Sequence, residues 1–321
     1  MKAIILLILT ALRFDQFSGL YAQDLTPDPM YSLDPYRAIS AYAGLAGRSV
    51  ISTAYRSQWE VLPGSPVVYN IYYNSPLRLT SGSFGIGAEL SRSGVHQLQR
   101  LMAGYHHVLQ TGEFLLSAGG GLGIINAIYQ SDLIRTPEGE YGNGTVDHRD
   151  PILGSGRLNN SQLCAGLSAY LQTRWLEGGF DYRFAVARIG GGEPAFYRPG
   201  QYFKLMLMRN IAFEQWNVRL YILDYTDLKV NQEEILVQTR YRNQFEIGLL
   251  WRGLRNESLD AAGGQFSFHL GRGVWLGYLA EWPLNVLKNQ IGGITQQFGL
   301  KFEFNAVGGS RKLPIIYNPR W

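Results

Sequence analysis

Apolar and polar residues alternate along most of this chain. Between Gln297 and Asn305, Phe298, Leu300, Phe302 and Phe304 form one set, and Gln297, Gly299, Lys301, Glu303 and Asn305 form the other. Successive side chains of a β-strand point to opposite faces, so such a stretch is a ribbon with one apolar and one polar face. Val67, Tyr69, Ile71 and Tyr73 stand in the same way against Val68, Asn70, Tyr72 and Asn74. The pattern also holds for Phe84 to Ser91, Trp216 to Ile222 and Phe245 to Arg252. It recurs in about fourteen stretches, which predicts an all-β, antiparallel chain. Glu233 to Tyr241 is the least regular, because charge interrupts its apolar face; it is retained because it keeps the strand number even.

The connections decide the architecture. Tight joints are expected near Gln110-Thr111-Gly112, Arg174-Trp175, Asn210-Ile211, Arg242-Asn243 and Gly271-Arg272-Gly273. Between them fall longer links, at Gln58 to Pro66, Tyr129 to Asn160, Ile189 to Gly200, Tyr225 to Gln232, Gly253 to Ala261 and Pro283 to Ile294. A soluble sandwich also buries one face of each strand. Short turns on one rim and long loops on the other are instead the arrangement of an outer-membrane transmembrane β-barrel, with lipid outside and a polar lumen. With both termini periplasmic, the long links lie on the outer side. Beyond the N-terminus no apolar run reaches the roughly 20 residues that a spanning helix needs.

Four segments follow. Residues 1–22 have the features of a signal peptide: Met1-Lys2, an apolar run from Ala3 to Leu12, and a cleavage point after Ala22. Residues 23–47, rich in Pro, Asp and Tyr, are expected to be extended, either as a plug folded back into the pore or as a periplasmic segment. Residues 48–305 form the barrel. Residues 306–321 form a periplasmic tail in which Pro314 and Pro319 interrupt pairing.

Composition supports this picture. The 38 Gly, 20 Tyr and 15 Phe suit hairpins and aromatic girdles. The net charge of +4 is mild and its basic residues are scattered, so nucleic acid is not an expected partner. Cys164 is the sole cysteine, which excludes an intrachain disulfide and suggests a small residue of the lumen wall. His96, His106, His107, His148 and His269 lack metal-ligand spacing. Nucleophile-elbow, phosphate-loop and zinc-helix motifs are missing as well, so neither catalysis nor a cofactor or metal is expected.

Recognition then falls to the loops. In the longest one, Tyr129, Asp132, Arg135, Tyr141, Asp147 and Asp150 are candidates for partner binding, against the alternative of a solvated lid. Its acids lack the spacing of a calcium loop. Phe196 and Tyr197 are candidates in a second, Gly- and Pro-rich loop. Tyr55 and Trp59 suit an interfacial girdle. Arg56 is expected either there or gripping a lumenal carboxylate, Glu89 or Glu246, to hold a plug in place.

Several stretches resemble the PorP/SprF family, outer-membrane proteins of the type IX secretion system of Bacteroidota. Ser40-Ala41-Tyr42-Ala43-Gly44 is similar to the family's Asn-Pro-Ala-Tyr-Ala-Gly element, and Tyr55-Arg56-Ser57-Gln58-Trp59 to its Tyr-Arg-x-Gln-Trp. Asn74-Ser75-Pro76-Leu77, the run Gly248 to Gly253 with Arg252, Gly292 to Gln297, and Asn318-Pro319-Arg320-Trp321 continue the resemblance in order. Ser40-Ala41 replaces Asn-Pro, and Thr295-Gln296 replaces the family's His-Glu, so the chain reads as a divergent paralogue. The resemblance implies a non-enzymatic export partner or surface anchor for a secreted protein, in contact with translocon or peptidoglycan-binding components and associated with gliding. The rival is a diffusion channel in which Arg219, Arg252, Glu89 and Lys301 set ion preference.

Overall fold

The computed structural model describes residues 27–77, 80–112, 114–142, 145–149, 156–189, 200–227, 230–253, 260–284 and 293–305. Its strands are β1 (Ser49–Ser57), β2 (Val67–Leu77), β3 (Gly82–Ser93), β4 (His96–Thr111), β5 (Phe114–Gln130), β6 (Glu140–Gly142), β7 (Thr145–Asp147) and β8 (Arg157–Gln172). They continue as β9 (Glu177–Ile189), β10 (Tyr202–Ala212), β11 (Trp216–Thr226), β12 (Asn231–Tyr241), β13 (Phe245–Arg252), β14 (Ala261–Gly271), β15 (Val274–Pro283) and β16 (Thr295–Phe304). The strands β6 and β7 make a separate hairpin; the other fourteen close into one barrel. Neighbours along the chain pair antiparallel, and β1 meets β16 from Ser49 opposite Phe304 to Ser57 opposite Gln296. Closure leaves the sheet no free edge to pair with another chain.

The side-chain distribution is inverted relative to a soluble protein. Leu122, Leu167, Leu249 and Phe298 are exposed on the outer face at 63, 56, 55 and 48%. Asn74, Ser117, Gln238 and Gln297 are buried on the inner one. Polar wall residues can satisfy one another and the lumen contents, while an outer apolar band matches hydrocarbon.

One rim carries short turns, and both barrel ends, Ser49 and Phe304, lie on it. Arg242 and Asn243 both take positive φ, 44° and 55°, in the three-residue turn between Tyr241 and Phe245. The other rim carries the links 58–66, 131–156, 190–201, 253–260 and 284–294. Three expectations are displaced. Asn210 and Ile211 lie within β10, and the turn falls at 213–215, where the Phe213 amide donates to the Trp216 carbonyl at 2.7 Å. The link at Tyr225 to Gln232 shrinks to 227–230, because β11 and β12 pair out to Thr226 and Asn231. The longest link starts after Gln130, so Tyr129 belongs to β5.

The irregular stretch at Glu233 is part of β12, and its charge is lumenal: Glu234 is buried beside Arg252, 2.7 Å away. The segment before the barrel is not extended as expected. It coils into three 3₁₀ turns and lies among inward-facing side chains of the barrel. The segments read as signal peptide and periplasmic tail, with Pro319 and Arg320, lie outside the described residues.

Candidate functional site

The lumen is occupied by residues 28–45. Every third residue from Met30 onward is apolar and buried: Met30, Leu33, Tyr36, Ile39, Tyr42 and Leu45 are between 0 and 7% exposed. A 3₁₀ helix stacks positions i and i+3, so this spacing lines one side of such a coil. The turns are Pro29–Ser32, Pro35–Arg37 and Ser40–Tyr42. Proline, which argues against a sheet strand, opens the first two, where its missing N–H would have had no intrahelical partner. Asp34 caps the second, accepting from the Tyr36 amide at 3.3 Å. That three-residue apolar spacing was the signal in the sequence for a coiled rather than an extended segment.

The barrel wall fits this coil. Three edge-on ring pairs join them: Tyr31 with Tyr221 at 5.5 Å, Tyr36 with Tyr72 at 6.0 Å and Tyr42 with Tyr170 at 5.2 Å. A Cβ on Gly85 would meet the Tyr36 ring at 2.4 Å, so the wall must be bare there for Tyr36 to dock. Gly44 is required for two reasons. Its φ is +68°, and a Cβ would lie 2.7 Å from the Pro76 nitrogen.

Polar contacts tie the coil to strands around the barrel. Gln297 of β16 donates to Asp28 at 2.6 Å, and Gln265 of β14 donates to Ser32 at 2.7 Å. The Ser52 hydroxyl of β1 donates to Asp34 at 2.6 Å. Arg37 is ion-paired with Asp28 at 2.7 Å, donates to Asn70 of β2 at 2.5 Å, and lies 4.9 Å over the Tyr72 ring. The amides of Ser40 and Ala41 donate to Asp181 of β9 and Ser168 of β8, both at 2.9 Å, and the Gly44 amide donates to Asn74 at 3.0 Å. Burial pushes the Asp34 carboxyl above its ordinary range, opposed by the Ser52 hydroxyl and by Lys301 and Arg37. Burial also raises the phenols of Tyr36 and Tyr42, which stay protonated.

Beside the coil runs a buried ionic chain. Arg56 of β1 donates twice to Glu281 of β15, at 2.8 and 2.9 Å. The same carboxylate accepts from Arg252 of β13 at 2.7 and 3.1 Å. Arg252 also donates twice to Glu234 of β12, at 3.0 and 2.7 Å. All four side chains are at most 4% exposed, and their charges sum to zero. Arg56 therefore grips a lumenal carboxylate, but it is neither Glu89 nor Glu246. Glu89 is engaged by Arg100 at 2.5 Å, and Glu246 by Arg240. The four residues assigned to ion preference are likewise paired. Arg219 lies 3.9 Å from Glu246, and Lys301 is 2.8 Å from Glu303.

In the longest loop several of the described polar groups bond within the loop itself. Asp132 accepts from the Gly156 amide at 2.7 Å, and Asp147 from the Arg149 amide at 2.9 Å. Arg135 packs 4.4 Å over the Tyr141 ring, and the Tyr141 hydroxyl lies 3.1 Å from His148 Nδ1. The described part of the loop is thus a lobe packed around Tyr141, with β6 and β7 as its hairpin. Tyr129 stands apart from it, stacked on His96 at 4.5 Å. Asp150, Phe196 and Tyr197 lie outside the described residues.

Tyr55 pairs with Tyr69 at 5.0 Å, and Tyr69 is 47% exposed on the outer face, as a girdle requires. The Gln58 amide donates to the Pro66 carbonyl at 2.9 Å, closing the first link, and Trp59 turns the chain with φ of 51°. Cys164 is on the inner wall, buried, with Sγ 3.3 Å from Met102 Sδ.

Fold and lumen together define a class: an outer-membrane β-barrel whose N-terminal segment lies in its own lumen. A family model for the type IX secretion system membrane protein PorP/SprF matches residues 31–300, and the chain belongs to that family. That span takes in the lumenal coil as well as the barrel. No match is found among curated proteins. Among solved structures, the CymD monoaromatic hydrocarbon channel is similar at 12% identity and a TM-score of 0.49, over 90% of this chain and 96% of that one. The toluene transporter TbuX of Ralstonia pickettii gives 11% and 0.49, over 87% and 94%. The outer membrane protein Omp33 of Acinetobacter baumannii gives 7% and 0.43, over 80% and 98%. At these levels the likeness bears on nothing beyond the barrel itself.

Proposed function

We propose that this protein is a plugged, non-enzymatic barrel that serves as export partner or cell-surface anchor for a secreted surface protein of the type IX system. The observation that carries this reading is the lumen. Residues 28–45 fill it and are tied to β1, β2, β8, β9, β14 and β16, which suits a scaffold and opposes a diffusion channel. The rim with short turns and both barrel ends faces the periplasm, where it can meet translocon or peptidoglycan-binding components. The rim with long links faces outward and presents the lobe around Tyr141 to the surface protein. Family membership supports the assignment to secretion. The test is cross-linked affinity purification of the full chain from native outer membranes, with partners identified by mass spectrometry. Recovery of a large secreted protein or of translocon subunits is expected. Recovery of the barrel alone, together with steady conductance in a planar bilayer, would refute the reading.

A further inference from the structure

On the outer face of β4, β5 and β8 the side chains change from apolar to polar along one row of the sheet. Leu101, Ile124 and Leu163 stand opposite one another, and the first two are 49 and 44% exposed. The next outward row, towards the rim with long links, is Gln99, Asn126 and Ser161. Above it Gln97 and Asn159 stand either side of Ile128, flanked by Arg92 of β3 and by Arg157 at the end of β8. The alternate positions Leu98, Ala127 and Asn160 are buried on the inner wall, at 4, 0 and 2%, which puts the polar set on the outside.

Below this boundary the outward set of β8 stays apolar from Leu163 to Leu171. At the usual strand rise and tilt that stretch spans about 20 Å, close to the apolar band of a membrane barrel. The polar row therefore lies at the level of lipid headgroups. It is built as a unit: the Asn126 amide donates to Gln99 at 3.1 Å, and the Ser161 hydroxyl donates to Asn126 at 3.1 Å. Arg92, Gln97, Arg157 and Asn159 have no hydrogen-bond or ion-pair partner among the described residues. No outward position in these rows is acidic.

Three strand spacings separate β3 from β8, so the two arginines flank the amides from positions about 15 Å apart at the backbone. Arginine meets phosphate oxygens with paired N–H donors, and amides supply both donors and acceptors to sugar hydroxyls. We propose that this face binds the headgroup of a phosphorylated glycolipid of the outer leaflet, its phosphates on Arg92 and Arg157 and its sugar hydroxyls on Gln97, Gln99 and Asn159. The acyl chains then lie along Leu101, Ile124 and Leu163. A phospholipid would satisfy an arginine but leave the amides unmatched. The proposal rests on the outward orientation of the rim with long links, and not on the anchor role.

The test uses the purified full chain in detergent micelles, with diphosphoryl lipid A as the probe and titration by native mass spectrometry as the readout. One lipid A per barrel is expected. Dephosphorylated lipid A and phosphatidylglycerol should each bind at least about tenfold more weakly, the usual weight of hydrogen bonds to a charged group. The double variant Arg92→Gln/Arg157→Gln should lose a similar factor. Asn126→Leu, which breaks the amide row and leaves both charges, should weaken binding as well. The heat-dependent gel shift of a folded barrel verifies each variant. Equal binding of phosphatidylglycerol or of the dephosphorylated lipid, or undiminished binding by either substituted barrel, would overturn the proposal. Orientation is read separately, by labelling Leu133→Cys on intact cells with an impermeant maleimide, since Cys164 is buried. Surface labelling without lipid A binding overturns the lipid site alone. Labelling only after permeabilisation overturns the orientation and the site with it.

Discussion

Arg56 and Glu281 stand 225 residues apart in sequence and meet inside the barrel as a doubly hydrogen-bonded ion pair at 2.8 and 2.9 Å. Because Glu281 also holds Arg252, the pair couples the first strand of the barrel to three strands of its closing half. Taking either charge away leaves a buried partner uncompensated. Glu281→Gln and Arg56→Ala should each cost about 3–5 kcal/mol. The double variant Arg56→Met/Glu281→Met should cost less than the sum of its single changes, as contacting pairs do. Urea unfolding in detergent, read by the gel shift of the folded barrel, measures all of these. Strict additivity would mean that the pair is only adjacent.

The outer face makes a second expectation possible. Leu122, midway along β5, and Leu133, in the longest loop, are almost equally exposed, at 63% and 61%. Only the first meets hydrocarbon in a membrane barrel. Leu122→Arg should cost about 2–4 kcal/mol, as for a lipid-facing charge near the midplane. Leu133→Arg should stay within roughly 0.5 kcal/mol. Unfolding in lipid vesicles distinguishes them, and equal costs would place Leu122 in water.

Docking of the lumenal coil should depend on pH through Asp34. Its carboxyl is raised above the ordinary value of 3.8 when docked, chiefly by burial. A raised carboxyl favours the docked state most below that value and loses its contribution as pH climbs through the docked pKa. Amide protection of residues 29–45, measured by hydrogen exchange and corrected for intrinsic rates, should therefore be greater at pH 4 than at pH 7. In Asp34→Asn, which keeps the oxygen that caps Pro35–Arg37, this difference should vanish. The opposite slope would assign the control to another group.

Arg37 is 3% exposed inside the barrel, so trypsin should not reach it in folded protein. Cleavage after Arg37 should be slower by orders of magnitude than in the same segment as a free peptide. It should accelerate in Gly85→Leu, whose side chain takes the place of the Tyr36 ring. Rapid cleavage of the unaltered chain, with the barrel still folded, would mean that the segment lies outside the lumen.

The barrel was legible because membrane strands state their two faces in a period of two, as Gln297 to Asn305 does. Strand ends were less legible. Asn210 and Ile211 carry a turn-like asparagine but pair with Arg219 and Val218, and that register is a property of the partner strand. The partner of Arg56 was hidden for the same reason. An arginine announces that it needs a carboxylate, but only closure of the sheet selects Glu281 over Glu89 and Glu246. In residues 23–47 the prolines suggested extension, whereas the three-residue spacing of Met30, Leu33, Tyr36 and Ile39 encoded the coil. The acids of the long loop looked free in sequence. Asp132 and Asp147 turn out to hold their own backbone, which neighbouring residues alone could not disclose.

The central claim is that the lumen is closed by the chain's own N-terminal segment. Single-barrel conductance in planar bilayers tests it most directly, comparing the full chain with a variant lacking residues 29–45. Almost no steady current is expected from the full chain, and a stable, ion-conducting state from the shortened barrel. Equal, open conductance from both would contradict it.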